Sequence, residues 1–142
     1  MTHSHEFRRL GFIGLGAMGK PMLSHLANKL PEESRIWVYD VVEQMVDDAC
    51  AEFPGRVLKA KSAKDVAQQV VSRNAIVRKW QLTTWQDTVV SMVPEGAHVR
   101  SVYLDPQNGV CSTDISNKLL IDCSTIDTAT SLAVKDLSLI HI

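Results

Sequence analysis

Apolar residues in this chain fall into short blocks separated by longer stretches of mixed character. The short blocks cover about 8–13, 36–39, 57–60, 88–93 and 119–122. Continuous apolar runs of roughly four to eight residues fit strands buried on both faces. The stretches between them predict helices over about 18–28 and 43–52, and another capped by Ser62 and running through Val70. A further helix begins near Gly96, and a last one is capped by Asp127 or Thr128. Pro31, Pro54-Gly55 and Pro94 punctuate the boundaries. Strand and helix alternate, which predicts an α/β fold built on a doubly wound parallel sheet.

Ligands of such sheets bind beyond the carboxyl ends of the strands. Four loops qualify here: 14–19, 40–42, 92–98 and 122–126. The first is the most specific. Gly14, Gly16 and Gly19 form a Gly-x-Gly-x-x-Gly turn directly behind the apolar run ending at Ile13 and ahead of a predicted helix. Gly14 suits the tight turn, Gly16 lets the backbone approach an anion, and Gly19 lets the helix pack close to the strand. Unpaired amides and the dipole at the helix start then face a diphosphate. A glycine turn alone is also an ordinary strand-to-helix connection. Asp40 adds context. It ends the second strand about twenty residues past the last glycine, where an acid accepts hydrogen bonds from a ribose. It would repel a 2′-phosphate, so NAD fits better than NADP. Taken alone, Asp40 also reads as a cap for the helix that follows. In the 122–126 loop, capping explains Ser124 and Thr125 as well as ligand contact does.

The 142 residues suffice for one domain with a real core, and 45% hydrophobic with 22% charged residues is a globular composition. A net charge of -1 gives no electrostatic case for nucleic acid or an anionic membrane. No apolar run approaches the roughly twenty residues that span a bilayer. The first strand starts so near Met1 that a cytoplasmic location is expected. Cys50, Cys111 and Cys123 are odd in number and lack Cys-x-x-Cys spacing, so reduced thiols are expected. His3 and His5 have no third ligand nearby, and no metal site is assigned.

The run from Gly11 to Met22 resembles the signature of the β-hydroxyacid dehydrogenases, most closely the 3-hydroxyisobutyrate dehydrogenase group, which shares the NAD-binding domain of 6-phosphogluconate dehydrogenase. The Met18-Gly19-x-Pro21-Met22 element makes the match more specific than the glycines do. The blocks Asp87 to Pro94 and Leu120 to Asp127 agree with the same family. The resemblance implies a Rossmann-type cofactor domain followed by an all-helical domain, with hydride passing from a small hydroxyacid to a nicotinamide. It implies that Gly14, Leu15, Gly16, Ala17, Met18, Gly19 and Asp40 bind the dinucleotide. Met92, Val93, Pro94 and His98 would line the cofactor as well. Thr125 would approach the nicotinamide, with Ser124 on the substrate side. The family usually carries Asn where this chain has His25. Its phosphate-preferring members tend to carry Asn-Arg-Thr around position 40, which is absent here.

In the same family a lysine on a later helix takes the hydroxyl proton, an asparagine stands nearby, and a Ser-Gly-Gly loop holds the substrate carboxylate. None of these motifs is in the sequence, so no catalytic residue is assigned. The expected domain is therefore 1–142, an incomplete NAD-binding domain without its last strand and without the helical domain. Its fifth strand would be a bare edge open to self-association. A second anomaly is the long connection over 70–86, against the usual two to six residues. A retained intron translated in frame is the favoured reading of it, and a lengthened helix, with Ile76 and Trp80 on one face, is the other. The tail after Asp136 invites the same intron reading. Three functions stand open: the cofactor domain of a hydroxyacid dehydrogenase, a non-catalytic NAD-binding module, and a truncated, non-functional gene product.

Overall fold

The computed structural model describes residues 9–70, 87–116 and 118–139. Five strands and five helices alternate within them: β1 Arg9–Ile13, α1 Gly19–Lys29, β2 Arg35–Tyr39, α2 Glu43–Glu52, β3 Val57–Lys59, α3 Ala63–Gln69, β4 Asp87–Ser91, α4 Gly96–Leu104, β5 Lys118–Asp122 and α5 Thr128–Leu139. A single 3₁₀ turn, Val110–Ser112, precedes β5. The strands form one parallel sheet in the order β3-β2-β1-β4-β5. This is the doubly wound α/β architecture that the alternation of blocks predicts.

Successive residues of each strand face opposite sides of the sheet, and β1 and β4 are buried on both. Leu10, Phe12, Ile36, Val38 and Val90 pack on one face with Leu23 and Ala27 of α1 and Val46 and Ala49 of α2. Ile13 and Val89 pack on the other, with Val66 and Ala67 of α3 and Val99, Val102 and Tyr103 of α4. The loop past α4 closes this second core with Val110, Cys111 and Ile115. Ser62 caps α3 as expected, its Oγ accepting from the Asp65 N–H at 3.0 Å. Asp127 does the same ahead of α5, its carboxylate accepting from the N–H and hydroxyl of Thr130 at 2.8 and 2.7 Å.

The predicted fourth strand is shorter than expected. It ends at Ser91, and Met92 and Val93 turn away from the ladder ahead of Pro94. At the far side, β5 is an edge. The registers Leu10–Thr88–Leu119 and Phe12–Val90–Ile121 place Leu119 and Ile121 on the α1 and α2 face. Among the described residues no helix covers them there, and each is 38% exposed. Leu120, on the opposite face, packs against the second core. Among the described residues there is no sixth strand. The anomalous connection at 71–86 and the tail at 140–142 lie outside the described residues, whereas Leu137 packs on the core as part of α5.

Candidate dinucleotide-binding site

The carboxyl ends of β2, β1, β4 and β5 stand side by side, because Ile13 pairs with both Tyr39 and Ser91, and Ser91 with Asp122. The residues that follow these ends, Asp40, Gly14, Met92 and Cys123, therefore form one row. Three inter-strand steps of about 4.8 Å make it roughly 14 Å long.

Gly14 stands inside this row with φ of 98°. A Cβ there would lie 2.0 Å from the Met92 carbonyl oxygen, and one on Gly19 would lie 1.9 Å from the Gly14 carbonyl oxygen. Only residues without side chains let the β1 turn, the tip of α1 and the Met92 backbone approach this closely. Gly16 is different. Nothing lies within 4 Å of the point its Cβ would occupy. The packing of the chain makes no demand for glycine at 16.

The tip of α1 is bare. Met18 holds the N-cap position with no side-chain hydrogen bond, and the first turn contains no acid. Lys20 stands in that turn instead, where a cation opposes the helix dipole unless an anion lies between them. The N–H groups of Gly16, Ala17, Met18 and Gly19 have no acceptor among the described residues, and Gly16, Ala17 and Met18 are exposed. The amides just before them are engaged. Gly14 N–H donates to the Tyr39 carbonyl at 3.0 Å, and Leu15 N–H donates to Asp40 Oδ2 at 2.7 Å. The Leu15 side chain is buried, so Leu15 shapes the turn as much as it borders the ligand. An open cavity of about 430 Å³ lies against the turn, bounded by Leu15, Gly16, Ala17, Lys20, Ser24 and Met45.

Asp40 also accepts from the Val42 N–H at 2.8 Å through Oδ1. Val42, not Asp40, occupies the N-cap position of α2, so the reading of Asp40 as that helix's cap does not hold. A carboxylate offers about four lone-pair sites, and two such bonds leave room for ribose hydroxyls. Val41 and Val42 follow it, 81% and 48% exposed, with no cation in either place.

The β4–β5 end is built from side chains. Tyr103 is buried, and its hydroxyl lies 2.7 Å from Ser91 Oγ. Burial pushes its phenol well above the ordinary tyrosine range, so it remains protonated. Ser91 donates to Asp122 Oδ1 at 2.7 Å, which leaves Tyr103 as the donor to Ser91. Ser124 Oγ donates to the same Asp122 oxygen at 2.7 Å and accepts the Val93 N–H at 2.9 Å. The Cys123 N–H donates to the Ser91 carbonyl at 2.8 Å. Pro94 and His98 are exposed around the start of α4, and Thr125 is exposed beyond β5. The cavity beside the glycine turn is not lined by Met92, Val93, Pro94, His98 or Thr125. Sequence reasoning reached these loops but missed Ser91, Tyr103 and Asp122 as a network. The available signal was a polar residue, Ser91 and Asp122, directly after the apolar run of each of two strands.

The family described as the NAD binding domain of 6-phosphogluconate dehydrogenase matches residues 9–137. The chain belongs to that family. As a domain of this family it binds a dinucleotide, and the bare helix tip and Asp40 are the parts of its structure suited to one. It is similar to the NAD-dependent L-serine dehydrogenase of Pseudomonas aeruginosa, 32% identical over 119 residues, which cover 84% of this chain and 32% of that protein. It is similar also to the mitochondrial 3-hydroxyisobutyrate dehydrogenase of Homo sapiens, 34% identical over 122 residues, 86% of this chain and 30% of the relative. The chain thus spans about a third of the length of these relatives. A solved structure of Psf3 in complex with NADP+ and 2-OPP shares the fold, with a TM-score of 0.69 at 18% identity over 93% of this chain and 39% of that one. Among the described residues, no helix is long and apolar enough to cross a membrane, and no group of three or more His, Cys, Asp or Glu is arranged to hold a metal ion.

Proposed function

We propose that this chain is the cofactor half of a dehydrogenase that passes hydride from a small β-hydroxyacid to NAD. The observation that carries the reading is the set of four amides at Gly16, Ala17, Met18 and Gly19 with no acceptor among the described residues, one of them on a glycine that the fold itself does not require. In this reading the amides hold the diphosphate, and Lys20 adds the opposing charge. Asp40 accepts from the adenosine ribose, with Val41, Val42 and Met45 as an apolar surface for the base. Met92, Val93, Pro94, His98 and Thr125 border the nicotinamide end, and Ser124 borders the substrate side.

The choice of NAD over NADP rests on Asp40 and on the two valines that follow it. A 2′-phosphate there would meet a carboxylate and find no cation. The substrate class is supported by the names of the relatives, whose substrates are both small β-hydroxyacids. The unpaired thiols of Cys50, Cys111 and Cys123 support a reducing, cytoplasmic setting. The exposed Leu119 and Ile121 support self-association along the β5 edge.

Calorimetry on the folded chain tests the reading. NAD is expected to bind saturably and at least about tenfold more tightly than NADP, a difference of about 1.4 kcal/mol. Equal or reversed affinities would overturn the choice of cofactor, and no heat with either would overturn the cofactor role. Turnover of 3-hydroxyisobutyrate by this chain alone would contradict its being only the cofactor half.

A further inference from the structure

The Met92–Val93 turn touches both halves of the site. Its Met92 carbonyl is the atom that excludes a side chain from Gly14, and it stands 3.6 Å from where a Gly19 Cβ would be. Val93 Cγ1 lies 3.0 Å from the same Gly14 position. Whatever fixes this turn therefore fixes how the β4 loop seats against the glycine turn. Backbone pairing holds only its start, where the Met92 N–H donates to the Ile13 carbonyl at 2.9 Å. One residue later, the Val93 N–H is held by the Ser124 hydroxyl at 2.9 Å, its one acceptor among the described residues.

That hydroxyl is itself oriented. Its proton goes to Asp122 Oδ1, which turns an oxygen lone pair toward Val93. Asp122 is oriented in turn by Ser91, and Ser91 by the buried Tyr103 hydroxyl. A continuous run of hydrogen bonds thus leads from the core of α4 to the loop at the β4–β5 end of the row. The glycine turn has separate anchors, from Gly14 N–H to Tyr39 and from Leu15 N–H to Asp40.

We infer that Ser124 is a positioning residue: oriented by Asp122, it clamps the Val93 amide and so sets the β4 loop that receives the nicotinamide half of the cofactor, without itself being needed for the adenosine diphosphate half. The inference rests on the dinucleotide reading above and adds a division of labour to it. Ser124→Ala removes the acceptor and leaves the Val93 N–H without one. Ser124→Thr keeps the hydroxyl.

The test compares ADP with NAD as calorimetric ligands for the full chain and these two variants. ADP carries the adenosine and diphosphate and lacks the nicotinamide half. Ser124→Ala is expected to weaken NAD about fivefold, the effect of one lost hydrogen bond, while ADP affinity stays within error. Ser124→Thr is expected to restore NAD binding. Retained ADP affinity also reports that the variant is folded. Loss of NAD and ADP in equal measure would indicate a merely structural role and overturn the inference. So would unchanged NAD affinity in Ser124→Ala, or failure of Ser124→Thr to rescue. If the unaltered chain binds neither ligand, the dinucleotide reading itself falls, an outcome distinct from all of these.

Discussion

At the β1–β2 end of the row the groups that face a ligand are main-chain amides, held in place by glycines and one carboxylate. At the β4–β5 end the loop is held by three hydroxyls and a carboxylate acting in series. Both ends stand on neighbouring strands of one sheet, yet they tolerate change differently. The first depends on the absence of side chains at Gly14 and Gly19, where any Cβ collides. The second depends on hydroxyl oxygens at set positions, so a conservative replacement survives and a deletion costs one bond. The contrast shows that a single binding row can combine a rigid part, set by sterics, with a part that is adjustable.

Substitutions break this comparison at different strengths. Gly14→Ala carries the largest expected effect, because φ of 98° and a contact of 2.0 Å to the Met92 carbonyl both oppose a Cβ. Left-handed backbone and overpacking together cost about 3 kcal/mol, which denaturant unfolding measures directly. Gly16→Val sharpens the distinction. With open space around position 16, unfolding should shift by less than about 0.5 kcal/mol. NAD affinity should nevertheless fall at least about tenfold, since the new side chain would occupy the space that the proposed reading gives to the diphosphate. A stability loss at 16 comparable to that at 14 would erase the difference between a glycine needed by the fold and one needed by the ligand.

The β5 edge gives a smaller contrast within one strand. Leu119→Thr, on the uncovered face, should change stability by less than about 0.5 kcal/mol. Leu120→Thr, which faces the second core, should cost on the order of 1–2 kcal/mol. Equal losses would mean that the α1 and α2 face of β5 is covered after all.

The smallest effect is expected at Asp127, whose carboxylate is held below the usual aspartate range by its hydrogen bonds to the Thr130 hydroxyl and N–H. A depressed carboxylate stabilises the fold above its unfolded pKa, and that contribution is lost as pH falls through the folded value. Asp127→Asn should therefore lower the melting temperature at neutral pH, and the gap to the unaltered chain should close in acid. A gap that persists there would assign the effect to packing instead.

Much of this was legible in the sequence because the β1–α1–β2 unit writes its geometry into residue type. A glycine at 14 signals positive φ, a glycine at 19 signals close approach, and Asp40 follows a continuous apolar strand. The helix boundaries fell where Ser62 and Asp127 offer side-chain caps. The β4–β5 end was less legible. Ser91, Tyr103, Asp122 and Ser124 are spread over 34 residues of sequence and become neighbours only when β4 pairs with β5 and α4 folds over them. Thr88–Val93 read as one strand because four of its six residues are β-branched, but the strand ends at Ser91, ahead of Pro94, which provides no N–H to continue the ladder. The second role of Asp40, holding the Leu15 amide, has no sequence signature because the partner is backbone.

The central claim is that the unpaired amides of Gly16, Ala17, Met18 and Gly19 grip the diphosphate. Amide chemical-shift mapping of the ¹⁵N-labelled chain during titration with NAD tests it most directly. Those four amides should show the largest saturable shifts, while the Gly14 amide, already bonded to Tyr39, should move much less. Saturable shifts centred elsewhere, or none at these four positions, would contradict it.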